Sequence, residues 1–296
     1  MVPWIKSMWT VRTRSGRIIA CAGLLLAGAF PAPLHAQGQG AARANTVIGT
    51  PRKIISLNLC ADQYLLALAD PGQIAGLTPN ANDPEMSAAA AQTRGLRILG
   101  RSAEEVLVID PDLVVGETVR RSAVMMALKE KNYPALDLRM ADSFADIVAQ
   151  TRKVAHAIGH PARGEALVSQ MEQELAKLGK PGRGRVAAYY QRRGFMTGTG
   201  TLVDDLMQRV GLVNLASKLG KPALSQLSIE ELVAAQPDFM IVETSTDDIA
   251  DQGTEMLHHP ALRDIPRIRL PHAWTVCGGP AYVRAAQSLA AQIGIY

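Results

Sequence analysis

The chain has 296 residues, 48% hydrophobic and 20% charged, and its formal charge of +4 rests on 31 basic against 27 acidic side chains. Four basic residues, Lys6, Arg12, Arg14 and Arg17, precede the apolar run Ile18 to Phe30 and the small-residue site Leu34-His35-Ala36, the arrangement of a cleavable export signal. Without those four, the 27 remaining basic residues equal the 27 acidic ones, which excludes the concentrated positive charge of a nucleic-acid binder.

The apolar run is shorter than the roughly twenty residues that span a membrane, so cleavage after Ala36 and a soluble periplasmic product are expected. Cys21 lies ahead of most of the hydrophobic stretch that it would have to follow to be lipidated. Cys60 and Cys277 remain in the mature chain. In an oxidising compartment they are either a disulfide or two small buried thiols, and their spacing alone does not choose.

A polar tail, residues 37–50, leads into a short buried strand at Lys53 to Leu57 and a helix at Asp62 to Ala69. Further strands are expected at Ile74 to Leu77, Leu113 to Val115, Ala135 to Leu138, Val186 to Tyr190, Phe239 to Val242 and Ile268 to Leu270, with helical patterns between them. This alternation predicts α/β architecture: two Rossmann-like lobes with mainly parallel sheets, a single long connecting helix and a ligand cleft between the lobes. Ser143 to Leu178 is helical by periodicity, broken only at Gly159-His160-Pro161, and fits a helix pair or one kinked helix. The expected division is an export signal at 1–36, an N-terminal lobe at 51–159, a linking helix at 160–180 and a C-terminal lobe at 181–296.

An internal repeat at an offset of 126 residues supports two lobes. Ser102-Ala-Glu-Glu-Val-Leu-Val-Ile-Asp-Pro-Asp-Leu-Val-Val-Gly-Glu117 aligns with Ser228-Ile-Glu-Glu-Leu-Val-Ala-Ala-Gln-Pro-Asp-Phe-Met-Ile-Val-Glu243. Each copy reads as a helix entering a strand, opened by a capping box in which Ser102 or Ser228 caps and Glu105 or Glu231 returns the bond. The neighbouring Glu104 and Glu230 are then left to face solvent, either complementing the helix dipole or serving a partner.

The order of these pieces, from Arg52-Lys-Ile-Ile-Ser-Leu-Asn-Leu-Cys-Ala-Asp62 through both repeats to Leu270-Pro-His-Ala-Trp274, resembles the class III periplasmic binding proteins of iron-siderophore, haem and cobalamin ABC importers. The resemblance covers about residues 51 to 293. It implies a monomeric binding protein, neither an enzyme nor dependent on a cofactor, whose partners are a small metal-chelate ligand and an ABC permease/ATPase complex at the inner membrane. Glu104 and Glu230 occupy the positions of the family's permease-docking glutamates.

Loops beyond the carboxyl ends of parallel strands are the expected ligand site. The candidates are Asn58, Cys60, Arg101, Arg120 and Arg121 in the first half, and Tyr189, Tyr190, Arg192, Arg193, Trp274 and Cys277 in the second. If the pairs Arg120-Arg121 and Arg192-Arg193 face the cleft, forked hydrogen bonds to an anion follow, favouring a ferric siderophore over a bulky, nearly neutral corrinoid. Tyr189, Tyr190 and His272 are candidate axial ligands for haem. Bare zinc or manganese is disfavoured because the histidines form no paired ligand spacing. A secreted two-lobed enzyme is the rival class, but neither a Walker loop nor a Gly-x-Ser-x-Gly elbow is present, and Gly198-Thr-Gly200 lacks the third glycine of a dinucleotide fingerprint.

Overall fold

The computed structural model describes residues 49–100 and 102–296. The export signal, most of the polar tail and Arg101 lie outside the described residues.

The first sheet contains β1 (Ile54–Ser56), β2 (Ile74–Gly76), β3 (Leu113–Glu117) and β4 (Ala135–Leu138). All its pairings are parallel, in the order β2-β1-β3-β4. After β5 (Val186–Tyr189), a short β6 (Phe195–Thr197) leaves to pair antiparallel with β8 (Leu224–Gln226). The second parallel sheet joins β5 to β7 (Val213–Asn214), β9 (Phe239–Glu243) and β10 (Arg267–Leu270), in the order β10-β9-β5-β7. Numbered along the chain, both sheets run 2-1-3-4, so each has a switch point between its first and third strands.

The repeat is structural as well as sequential. Helix Ala103–Ile109 and β3 reappear 126 residues later as helix Ile229–Ala235 and β9. β3 and β9 share a pattern of four buried residues followed by a half-buried glutamate, as expected of strands covered on both faces. The Ser228 hydroxyl accepts from Glu231 N–H while the Glu231 carboxylate accepts from Ser228 N–H, both at 3.1 Å. Ser102 accepts from Glu105 N–H at 3.3 Å. Each helix ends on a left-handed residue, Asp110 or Gln236.

Between the sheets run two helices, Phe144–Ala157 and Pro161–Ala176. Gly159, with φ +86°, makes the break, and Pro161 opens the second helix where its missing N–H costs nothing. A Cβ on Gly164 would lie 2.5 Å from the Ala155 methyl, so glycine is what lets the helices touch. Val154, Ala155 and Ile158 enter the first core, whereas Phe144, Ile147, Val168, Met171 and Leu175 enter the second. The pair therefore belongs to both halves. Among the described residues no helix is long and apolar enough to cross a membrane.

Candidate ligand site

Seven of the eight parallel strands, all but β7, bring their carboxyl ends or the loops after them to one cavity of about 810 Å³. Its first wall is built by Leu57 to Cys60 after β1, Thr78 to Asn80 and Met86 after β2, Glu117 at the end of β3, and Leu138 to Asp142 after β4. The second wall carries Tyr189 and Gln191 at β5, Thr201 to Val203, Glu243 at the end of β9, and His272 and Thr275 to Gly278 after β10. The 126-residue repeat thus sets Glu117 and Glu243 at matching strand ends on opposite walls. The volume lies in the upper part of the roughly 300–1,000 Å³ usual for small-molecule sites.

Asn58 caps helix Leu59–Leu68, its side chain accepting from Ala61 N–H at 3.0 Å. Cys60, in the first turn of that helix, is disulfide-bonded to Cys277 from the loop after β10, with Cα atoms 5.3 Å apart. The bond sits in the cavity lining and ties one wall to the other. Below it, the fully buried Asp62 accepts from both the backbone N–H and the hydroxyl of Thr78, a lining residue. Burial pushes its carboxyl up to about 6, against the lowering effect of the Thr78 bonds.

The second wall has a polar cluster centred on Glu243. One carboxylate oxygen accepts from Gln191 Nε2 at 2.9 Å and from the Tyr189 hydroxyl at 3.3 Å, and lies 3.1 Å from His272 Nδ1. Burial alone would raise the Glu243 carboxyl, but His272, by hydrogen bond and charge, with Gln191 and Tyr189, holds it below the ordinary glutamate range. The same bond raises the His272 imidazole above its usual value, opposed by desolvation. Burial, aided by the Glu243 charge, keeps the Tyr189 phenol protonated.

Asn58, Cys60, Tyr189, His272 and Cys277, all candidates from the sequence, line the cavity. Tyr190 does not, because successive strand residues face opposite sides; its hydroxyl donates to Leu227 O at 2.9 Å within a separate core cluster. Trp274 packs against the second core and is absent from the lining. The arginine pairs also lie elsewhere. Arg120 is exposed and donates to Asn132 Oδ1 at 3.4 Å, and Arg121 is exposed. Arg192 pairs with Asp251 at 2.9 Å, and Arg193 sits in a left-handed turn outside the lining. The cause is the return of the chain after β5, which bridges Tyr190 to Met196 and carries Arg192 and Arg193 around the outside. Arg101 lies outside the described residues.

Gln191 falls within the loop expected to line the cleft after β5, whereas Arg139, Met140 and Asp142 after β4 are lining residues that the sequence reading lacks. Glu117 and Glu243, strand-end positions expected to line the cleft, do so, and the repeat pairs them. Among the described lining residues, three carboxylates (Glu117, Asp142, Glu243) face one guanidinium (Arg139) and one imidazole (His272). Such a wall receives amide, hydroxyl or cationic donors and disfavours a polyanion.

A sequence profile described as periplasmic binding protein matches residues 54–269. The chain belongs to this family. Its members are substrate-binding proteins of ABC importers, not enzymes, and the fold is that of the class III periplasmic binding proteins. The vitamin B12-binding protein of Pectobacterium carotovorum subsp. carotovorum (strain PC1) is 25% identical over 253 residues, covering 82% of this chain and 88% of that protein. The periplasmic haem-binding protein RhuT from Roseiflexus sp. RS-1, in apo form, is 26% identical with a TM-score of 0.66, over 83% of this chain and 99% of that one. The periplasmic vitamin B12 binding protein BtuF of Vibrio cholerae shares the fold at a TM-score of 0.63 and 16% identity, over 83% and 97% of the two chains.

Proposed function

We propose that this periplasmic binding protein captures a corrinoid-class metal chelate and delivers it to an ABC permease. The observation that carries the choice is the charge of the cavity: carboxylates at the paired strand ends, with both arginine pairs outside. A ferric siderophore rich in carboxylate or catecholate groups would meet Glu117, Asp142 and Glu243. A corrinoid instead offers a near-neutral body edged with amide N–H donors, which carboxylates on two opposite walls suit. The similarity to a vitamin B12-binding protein supports the same class.

Delivery is assigned to Glu104 and Glu230. Both are exposed, on helices that lead into β3 and β9, the strands whose terminal glutamates line the cavity. The Glu104 carboxyl is held below its usual value by its own backbone N–H and the Ser102 hydroxyl, so it is anionic at neutral pH.

The test is a competition titration of the mature protein with cyanocobalamin, haemin and a ferric catecholate. Cyanocobalamin is expected to bind at least about a hundredfold more tightly than either rival. Tighter binding of the catecholate would overturn the reading. Glu104→Ala with Glu230→Ala is expected to abolish uptake in cells while leaving the dissociation constant unchanged.

A further inference from the structure

Helices Ala103–Ile109 and Ile229–Ala235 are copies of one another and bury equivalent residues, Val106 and Leu232. Glu104 and Glu230 lie opposite that buried side. At helical spacing the residue three positions on shares the glutamate's outward face, and it is Leu107 in one copy and Val233 in the other. Both are exposed apolar side chains, at 40% and 38%. Val108 and Ala234, four positions on, are exposed on the same face. Each half of the molecule therefore presents a glutamate flanked by an aliphatic residue on the helix that leads into β3 or β9, the strands whose terminal glutamates line the cavity; in the first half Ser102 and Val106 line it as well.

Solitary exposed aliphatic residues need no explanation. The same two exposed at matched positions of a repeat, each one turn from an exposed carboxylate, form a pattern with its own symmetry. We infer that Leu107 and Val233 are the apolar halves of two equivalent docking knobs, fitted to a membrane permease built from two like subunits. Each subunit would offer a basic side chain for the glutamate and an apolar recess for its neighbour. This rests on the reading of the chain as an importer's capture component. It adds that the glutamates set approach and orientation, while the aliphatic pair holds the docked complex once water is excluded.

The experiment places the photo-crosslinker p-benzoylphenylalanine in the full-length protein in its host cells, as Leu107→p-benzoylphenylalanine or Val233→p-benzoylphenylalanine. Ile295→p-benzoylphenylalanine is the control; it is 80% exposed, at the end of the helix that runs away from the cleft. Irradiation is expected to join both knob positions to the same polytopic ABC permease subunit, and the control to none. No permease adduct at either knob position, or an equal adduct at Ile295, would overturn the inference.

Independently, Leu107→Ser with Val233→Ser is expected to raise the cyanocobalamin concentration for half-maximal uptake at least about tenfold, with the dissociation constant within about twofold. An unchanged uptake curve would overturn it. Titration of the unaltered protein separates the two claims. Crosslinks without cyanocobalamin binding refute the ligand class and leave the docking knobs standing, while binding without crosslinks refutes the knobs alone.

Discussion

Replacing both bonded cysteines, Cys60→Ser with Cys277→Ser, removes a tie between residues 217 positions apart in sequence. Closing a loop of that length lowers the entropy of the unfolded chain by an amount worth about 5 kcal/mol, and loss of a native disulfide typically costs ~2–5 kcal/mol. For a protein of this size each kcal/mol moves Tm by roughly 2–4 °C, so a fall of roughly 5–20 °C is expected. The bond also joins the two cavity walls, so its removal should speed ligand dissociation as well. The assay is thermal unfolding of the mature protein by circular dichroism, for the double variant and for the parent with and without reductant. Mass spectrometry of the unreduced parent counts free thiols. Two free thiols, or a Tm change below about 2 °C on removing both cysteines, would refute the reasoning.

Trp274→Ala should lower stability by about 2 kcal/mol through lost core contact and leave the ligand dissociation constant within about twofold; weaker binding at unchanged stability would instead put Trp274 against the ligand. Asp62 has a folded pKa raised to about 6 from 3.8, so the stability that it contributes is full below the lower value and lost as pH rises through the upper. Denaturant titrations should accordingly show the parent gaining on Asp62→Asn between pH 7.5 and 5, and a gap independent of pH would contradict this. Because the Glu243 bond raises His272, its ring should titrate above the ordinary histidine value by NMR, and Glu243→Gln should bring it down; identical curves would show that Glu243 does not set the imidazole's charge.

Seven of the eight parallel strands were legible because they are short apolar runs flanked by turn residues, and their observed ends differ by at most two residues; the two-residue β7, Val213–Asn214, is too short to show a pattern. The 126-residue repeat carried further. It marked equivalent helix-strand pairs, and with them the matching strand-end glutamates that give the cavity its charge. The β6–β8 ribbon was not legible, since three-residue strands such as Leu224-Ser-Gln226 are too short to show alternation. What holds it is tertiary: Gly198 lies so close under Pro222 that any side chain would collide with the backbone. Side-chain direction was the larger loss. Arg192 and Arg193 follow a strand end as a ligand site requires, yet a turn and Asp251 carry them away. Tyr189 and Tyr190 are adjacent, and the pleat sends only one to the cavity. The disulfide was beyond reach because nothing in the spacing of Cys60 and Cys277 records that the loop after β10 returns to the first helix.

The most direct test of a corrinoid-class cargo is the absorption spectrum and co-purifying mass of the protein isolated from the periplasm of cells fed cyanocobalamin. Corrinoid absorption bands and a corrinoid mass in about one-to-one ratio with the protein are expected. A haem Soret band or a ferric catecholate charge-transfer band in its place would contradict it.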